Sequence, residues 1–159
     1  MNTQARLLTA ALLIAAWMGA ALFAVAVVAP GAFAVLPTRT MAGALVGRVL
    51  PALFVAGIVI GLTVAAMTGR PWLAGPSRRA AIAALVAAGA CAVAQFVITP
   101  KLDRLRAEIG GPIDALATGD PRRVAFAWFH GYSVAGLGLA LTGAAACLVF
   151  LSFAIRPRR

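Results

Sequence analysis

The chain has 159 residues, of which 63% are hydrophobic and only 11% charged, and its mean hydropathy is +0.98. A soluble domain is typically about half apolar and about one quarter charged, and a chain this short cannot bury so much apolar surface in one water-soluble core. The composition therefore excludes a soluble globular enzyme and a disordered chain. It predicts an integral membrane protein.

The charge of the chain is strongly basic, with 14 Lys and Arg against 4 Asp and Glu, which gives a formal charge of +10. A basic protein often binds nucleic acid, but here the basic residues lie between apolar segments instead of being pooled in one polar region. In a membrane protein such residues flank the ends of helices. We therefore expect the lipid bilayer as partner and no nucleic acid.

Four uncharged stretches are long enough to cross a bilayer, which takes roughly 20 apolar residues. They lie between Arg6 and Arg39, between Arg48 and Arg70, between Arg79 and Lys101, and between Arg123 and Arg156. The predicted fold class is all-α, a polytopic membrane protein with four transmembrane helices in an antiparallel bundle. Residues 1–159 are expected to form a single transmembrane domain, with helices at about 7–29, 41–67, 80–99 and 121–155.

Proline and glycine predict where these helices end or bend. Pro30-Gly31 is expected to end the first helix and Pro100 the third, and Pro51 is expected to kink the second. Asp120-Pro121 is a good N-cap and first-turn pair for the fourth. The fourth helix would be about 50 Å long, so it must tilt, bend or protrude from a hydrocarbon layer of about 30 Å.

The N-terminal segment has a second interpretation, a cleaved signal peptide, because Ala32-Phe33-Ala34 resembles a cleavage site. The apolar stretch before it is longer than the roughly 7–15 residues of such a segment, which favours a retained helix.

Seven basic residues flank each side of the bundle. The side that carries the two termini has no acidic residue, and Arg6 lies close to the first helix. We therefore expect a multi-pass protein of the cell membrane with both termini cytoplasmic.

The polar loop at 101–120 contains all four acidic residues. Leu102, Leu105 and Ile109 follow helical spacing, and Gly110-Gly111-Pro112 breaks it. This pattern predicts a short amphipathic segment between the third and fourth helices that extends the third and lies at the membrane surface. The functional alternative is a gate or a partner-docking element.

Small residues recur at four-residue spacing, which lets membrane helices approach closely. They are Ala11, Ala15 and Gly19 in the first helix, Gly43 and Gly47 with Gly57 and Gly61 in the second, and Gly136, Ala140 and Ala144 in the fourth. The stripes predict helix packing within the chain or a homo-oligomer.

Polar side chains inside apolar spans are costly and need partners. Five residues of this kind fall in one leaflet, and they are the candidate ligand-binding residues: His130, Ser133, Gln95, Arg48 and Tyr132. One interpretation is a polar pocket with His130 as its proton-active or ligand-binding group. The alternatives are that Gln95 and His130 only fix helix packing, or that His130 lies among the lipid headgroups.

The sequence predicts no catalytic residues, no cofactor and no metal. One histidine excludes bis-histidine haem ligation within the chain, and no His, Cys and carboxylate cluster supports zinc. Cys91 and Cys147 lie in apolar runs and are expected to be inert core thiols. The function expected is therefore a non-enzymatic helical bundle that binds or passes a small, unidentified ligand through a polar pocket. The alternatives are a structural or accessory membrane subunit and, less favoured, an enzyme at the membrane interface.

Several motifs occur in a familiar order: Trp17-x-Gly19, Ala42-Gly43-x3-Gly47-Arg48 with Pro51-x2-Phe54, Pro100, and Phe129-His130-Gly131-x-Ser133. With these motifs the chain resembles a family of small four-helix integral membrane proteins of unknown function, which includes human transmembrane protein 205 and bacterial relatives. The resemblance implies a four-helix membrane protein and names no reaction. The family pattern often has an asparagine where this chain has Leu137, so a role that needs that amide is in doubt.

Overall fold

The computed structural model describes residues 2–68 and 75–156, and within them the chain is helical and contains no strand. Four long helices span Thr3–Val35 (α1), Arg39–Thr68 (α2), Pro76–Ile109 (α3) and Pro121–Ile155 (α4). A 3₁₀ turn at Ile113–Ala115 lies in the loop between α3 and α4. Each long helix is long and apolar enough to cross a membrane, which confirms the predicted all-α, multi-pass architecture.

Neighbouring helices run antiparallel and close into a ring, since α1 and α3 each pack against both α2 and α4. We call the end of the bundle where α1 and α3 begin and α2 and α4 end the terminal end. The opposite end is the loop end. At the terminal end, the Arg6 guanidinium donates a 2.7 Å hydrogen bond to the carbonyl oxygen of Met67 and ties α1 to α2.

The core of the bundle is built largely from small side chains. Gly57 and Gly61 of α2 allow close approach, because a Cβ on Gly61 would lie 2.9 Å from the Ala84 carbonyl oxygen of α3. The predicted small-residue stripe of the first helix behaves differently, since Ala15 and Gly19 are exposed. The buried face of α1 instead carries Leu7, Ala10, Ile14, Trp17 and Ala21.

Two of the predicted helix ends are wrong, because α1 continues through Pro30 to Val35 and α3 continues through Pro100 to Ile109. Proline lacks an N–H group and its ring collides with the carbonyl one turn earlier. In both helices a π-turn, at Ala24–Val28 and at Ala94–Ile98, precedes the proline and absorbs this collision. In α3 the Thr99 N–H and the Thr99 hydroxyl both donate to the Ala94 carbonyl, the hydroxyl at 2.9 Å, which stabilises the turn before Pro100.

The predicted extension of the third helix is confirmed, because the first nine residues of the polar segment, 101–109, belong to α3. The helix stops at Ile109, where Gly110 adopts a left-handed conformation with φ of 63° and donates its N–H to the Arg106 carbonyl. This C-cap favours glycine, which has no Cβ to strain.

The second helix is continuous through Pro51.

The Asp120 carboxylate caps α4 as predicted and accepts a 2.8 Å hydrogen bond from the Arg122 N–H. The Arg122 guanidinium also donates to it at 2.8 Å. These bonds from the Arg122 side chain and backbone lower the pKa of Asp120 to about 2.

A lowered carboxylate pKa predicts a specific loss of stability in acid. The contribution of Asp120 is present above its ordinary pKa of 3.8 and is lost as the pH falls toward 2. We therefore expect the apparent Tm in detergent of the wild type to fall toward that of Asp120→Asn between pH 4 and pH 2. Asparagine can still cap the helix but does not titrate, so a constant difference over this range would contradict the assignment.

Candidate functional site

The structure separates the five candidate ligand-binding residues instead of gathering them in one pocket. Arg48, His130 and Tyr132 are exposed, Ser133 is buried, and Gln95 is partly buried. All five lie in the half of the bundle nearer the loop end. This placement follows from the helix directions, and the shared leaflet and the pocket around His130 stay predictions.

His130 lies on the outer surface of the bundle because its neighbouring helix turns away. It continues the row of Leu137 and Ala144 on α4, and those two residues are buried while His130 is exposed. The part of α1 beyond its π-turn packs against α2, which leaves the start of α4 uncovered on this face. The His130 ring stacks on Phe126 one turn earlier, with ring planes 3° apart and centroids 6.4 Å apart.

The loop end carries a column of charged and aromatic side chains that the sequence analysis did not identify. The Arg106 guanidinium donates a 2.9 Å hydrogen bond to the Asp103 carboxylate and lies 5.4 Å from the centre of the Phe126 ring. Its nitrogens come within 3.4 Å of where a Cβ on Gly47 would be. Arg106 thus contacts α2 and α4 from its place on α3. The Asp-x-x-Arg spacing was the available signal.

A second cation–π contact lies beside this column, since the Lys101 ammonium is 5.0 Å from the centre of the Phe129 ring. Such contacts are worth roughly 0.5–1 kcal/mol when exposed. Trp128 and Tyr132 are exposed on the same part of α4. Exposed Trp and Tyr are typical of the membrane–water interface, so this turn of α4 lies at the level expected for lipid headgroups.

Gln95 belongs to the π-turn Ala94–Ile98 of α3, and this turn contacts both α2 and α4. The Cβ of Ala88 is 2.9 Å from where a Cβ on Gly61 would be, so Ala88 faces α2. Gln95 follows Ala88 by seven residues, which returns to the same helix face. Its Oε1 atom is buried and has no hydrogen-bond partner within residues 2–68 and 75–156.

Ser133 lies at the same depth as Gln95, but on another helix. A Cβ on Gly136 would lie 3.8 Å from the Ala94 Cβ, which fixes the register of α4 against α3. Ser133 is about one turn nearer the loop end than Gly136, and it is 6% exposed. This register places Gln95 and Ser133 within about one helical turn of each other along the bundle, with Ser133 on the buried face of α4.

Further features of the described surface lie apart from the five candidate residues. Two apolar grooves, one along α2 at Pro51–Ile60 and one between α3 and α4 near Gly143, contain none of the five candidates. No group of three or more His, Cys, Asp and Glu that could hold a metal occurs in the part of the chain that the structure describes. Cys91 and Cys147 are both buried as free thiols.

The comparisons with known proteins give a family and nothing finer. No curated protein and no solved structure matches the chain significantly. Nothing in them connects the chain to human transmembrane protein 205 in particular. A family model described as a domain of unknown function, DUF4149, matches residues 12–110. The match covers more than half of the 159 residues, from α1 to the end of α3, so this four-helix membrane protein belongs to the DUF4149 family.

Proposed function

We propose that the protein is a non-enzymatic membrane bundle that binds a small amphipathic molecule between α2 and α3. The observation that carries the proposal is the buried Oε1 atom of Gln95, which lacks a hydrogen-bond partner in the described residues. An unpaired polar atom in a membrane span costs free energy. A ligand that donates a hydrogen bond to Gln95 would remove this cost.

The chemistry of Gln95 indicates what the ligand must carry. A carboxamide oxygen only accepts hydrogen bonds, so the ligand needs a donor such as a hydroxyl group. Cys91, one turn before Gln95 on α3, is fully buried and faces Gly57 of α2, and a charged donor would be costly to desolvate beside this apolar contact. A neutral hydroxyl on an apolar chain satisfies both requirements.

The depth of Gln95 supports an amphipathic shape for the ligand. Gln95 precedes Lys101 by six residues, which corresponds to about 9 Å along a helix. The hydroxyl would then lie just below the level of the basic residues, and the apolar chain would extend into the hydrocarbon layer. We propose binding of the ligand alone, without its passage through the bundle.

Photolabelling with a matched pair of probes tests the proposal. One probe is a long-chain primary alcohol with a diazirine in its chain, and the other is its methyl ether, which cannot donate a hydrogen bond. In bicelles we expect the alcohol to label peptides of α2 and α3 in the wild type at least fivefold more than the ether does. The substitution Gln95→Met keeps the side-chain volume nearly constant and should reduce alcohol labelling of α2 and α3 to the level of the ether.

The controls separate binding from folding. Gln4→Leu changes the chain's other glutamine, which is exposed near the N-terminus, and should leave labelling unchanged. Since Gln95→Met removes an unpaired acceptor, its apparent Tm should equal or exceed that of the wild type. Equal labelling by both probes, or a Gln95→Met variant that is destabilised and still labelled, would favour a structural or accessory subunit and refute the proposal.

Three expectations accompany this function. We propose that both termini are cytoplasmic, although Arg70, Arg158 and Arg159 of the supporting charge pattern lie outside the described residues. The exposed Ala15 and Gly19 stripe supports a homo-oligomer. Kinship with the family that includes human transmembrane protein 205 is supported by the Phe129-His130-Gly131-x-Ser133 motif, which lies beyond the matched region.

A further inference from the structure

The burial pattern of α1 repeats in α3 with a shift of 70 residues. The seven buried residues of α1 are Leu7, Ala10, Ile14, Trp17, Ala21, Ala24 and Ala32. Each corresponds to a buried residue of α3: Ser77, Ala80, Ala84, Ala87, Cys91, Ala94 and Leu102. Helical periodicity alone would match the two burial patterns almost as well with a shift seven residues larger or smaller than 70. The two π-turns and the prolines that follow them, Pro30 and Pro100, coincide only at 70.

The second and fourth helices repeat in the same way, with a shift of 79 residues. Buried residues correspond in five cases, which pair Phe54, Gly61, Val64, Ala65 and Thr68 with Ser133, Ala140, Gly143, Ala144 and Cys147. Identical residues occur at matching places, as in Val55-Ala56-Gly57 and Val134-Ala135-Gly136. Thr63 and Thr142 match as well, and each donates to the carbonyl four residues earlier. The larger shift reflects the longer connection before α4, which spans residues 110–120 against 36–38 before α2.

We propose that α1–α2 and α3–α4 are two copies of one helical hairpin, and that the chain therefore has two equivalent ligand sites instead of one. The copies run in the same direction and pack in a closed ring, as expected for a two-fold axis along the bundle. Such an axis exchanges the α2–α3 interface with the α4–α1 interface. The second site rests on the proposed function of the first, and it would take the same hydroxylated amphipathic molecule.

The repeat identifies the residues of the second site. At the α2–α3 interface the polar residue is Gln95, on α3, opposite the α2 turn that carries Pro51 and Phe54. The repeat equates Gln95 with Val25 and equates that α2 turn with the turn of α4 that carries His130 and Ser133. At each interface one helix thus supplies the polar side chains and the other supplies apolar ones. The polar helix is α3 at the first interface and α4 at the second.

The accessibility of this second interface agrees with a lipid-side site. Val25 is 45% exposed, and His130 is exposed because the end of α1 packs on α2. Ser133 is buried one turn deeper. A hydroxyl ligand entering here from the bilayer would meet His130 at the aromatic level of α4 and Ser133 below it, and its chain would lie against Val25.

The same alcohol probe tests the inference through the position of the label. In the wild type we expect two labelled regions, one in α2 and α3 and the other in α4 and α1. The double substitution His130→Leu with Ser133→Ala should reduce labelling of α4 and α1 at least fivefold and leave α2 and α3 unchanged. Gln95→Met should have the opposite effect. If the double variant fails to fold, Val25→Phe serves in its place. Position 25 is exposed and tolerates a larger side chain, which should block the second site alone.

The outcomes distinguish the two proposals. Label confined to α2 and α3 overturns the second site and leaves the proposed function standing. Loss of both labelled regions on either substitution shows one shared pocket and also overturns the inference. Absence of alcohol-specific label from the wild type refutes both.

Discussion

Trp17→Ala should lower the free energy of unfolding by roughly 3–5 kcal/mol, the usual cost of removing a large aromatic side chain from a core. Trp17 is 3% exposed, and its ring fills the space opposite Gly57, where a Cβ would lie 2.8 Å from two ring atoms. The indole N–H also donates a 2.9 Å hydrogen bond to the Leu53 carbonyl oxygen. The substitution therefore removes packing and a hydrogen bond between α1 and α2 together. Unfolding by SDS titration in mixed micelles, followed by circular dichroism, measures the change.

Trp17→Phe separates the two contributions. Phenylalanine retains most of the ring and loses the N–H donor, so the expected loss is roughly 0.6–2 kcal/mol, the range measured for hydrogen bonds between membrane helices. Trp128→Ala is the matched control because Trp128 is exposed, and it should change the stability little. A Trp17→Ala variant as stable as Trp128→Ala would show that the α1–α2 contact is misassigned.

Gly61→Ala should destabilise the bundle by about 1–3 kcal/mol, which is typical of overpacking in a well-packed core. The new Cβ would lie 2.9 Å from the Ala84 carbonyl oxygen and 2.9 Å from the Ala88 Cβ. Because one of these atoms belongs to the backbone, no change of side-chain rotamer relieves the contact, and α2 must move away from α3. The measurement is the same SDS titration.

A second glycine provides the control for Gly61. A Cβ on Gly136 would meet its nearest atoms at 3.8 and 3.9 Å, an ordinary contact, and alanine favours the helix by up to about 1 kcal/mol. Gly136→Ala should therefore be neutral or stabilising. The second substitution Ala88→Gly should partly rescue Gly61→Ala. Equal effects of the two glycine substitutions would contradict the α2–α3 packing.

The positions of the spans could be predicted from the sequence, because the intervals between Arg and Lys residues are set by the thickness of the bilayer. Asp120-Pro121 and Gly110 were also readable, since capping depends on a few neighbouring residues. The errors at Pro30 and Pro100 have a local cause. Proline disfavours the ordinary helical turn before it, but a π-turn can accommodate it, and the sequence does not show whether the helix ends or continues.

The candidate site was predictable in depth but not in direction around the helix axes. Helix rise places Gln95, His130 and Ser133 in one half of the bundle. Which helix each side chain faces depends on the packing of α1 against α2 and on the π-turn that contains Gln95, and both are tertiary features. For the same reason the Arg106–Phe126 contact could not be foreseen, since it joins two helices across a loop.

Nuclear magnetic resonance of the two glutamine side chains tests the central claim most directly, because the chain has only Gln4 and Gln95. Protein labelled with ¹³C and ¹⁵N at glutamine is titrated with 1-decanol and, separately, with decyl methyl ether in bicelles. A hydrogen bond from the alcohol to Oε1 should shift the Gln95 carboxamide carbon downfield in a saturable way, while Gln4 stays constant and the ether has no effect. Identical responses of Gln95 to the alcohol and the ether, or equal shifts of both glutamines, would contradict a ligand site at Gln95.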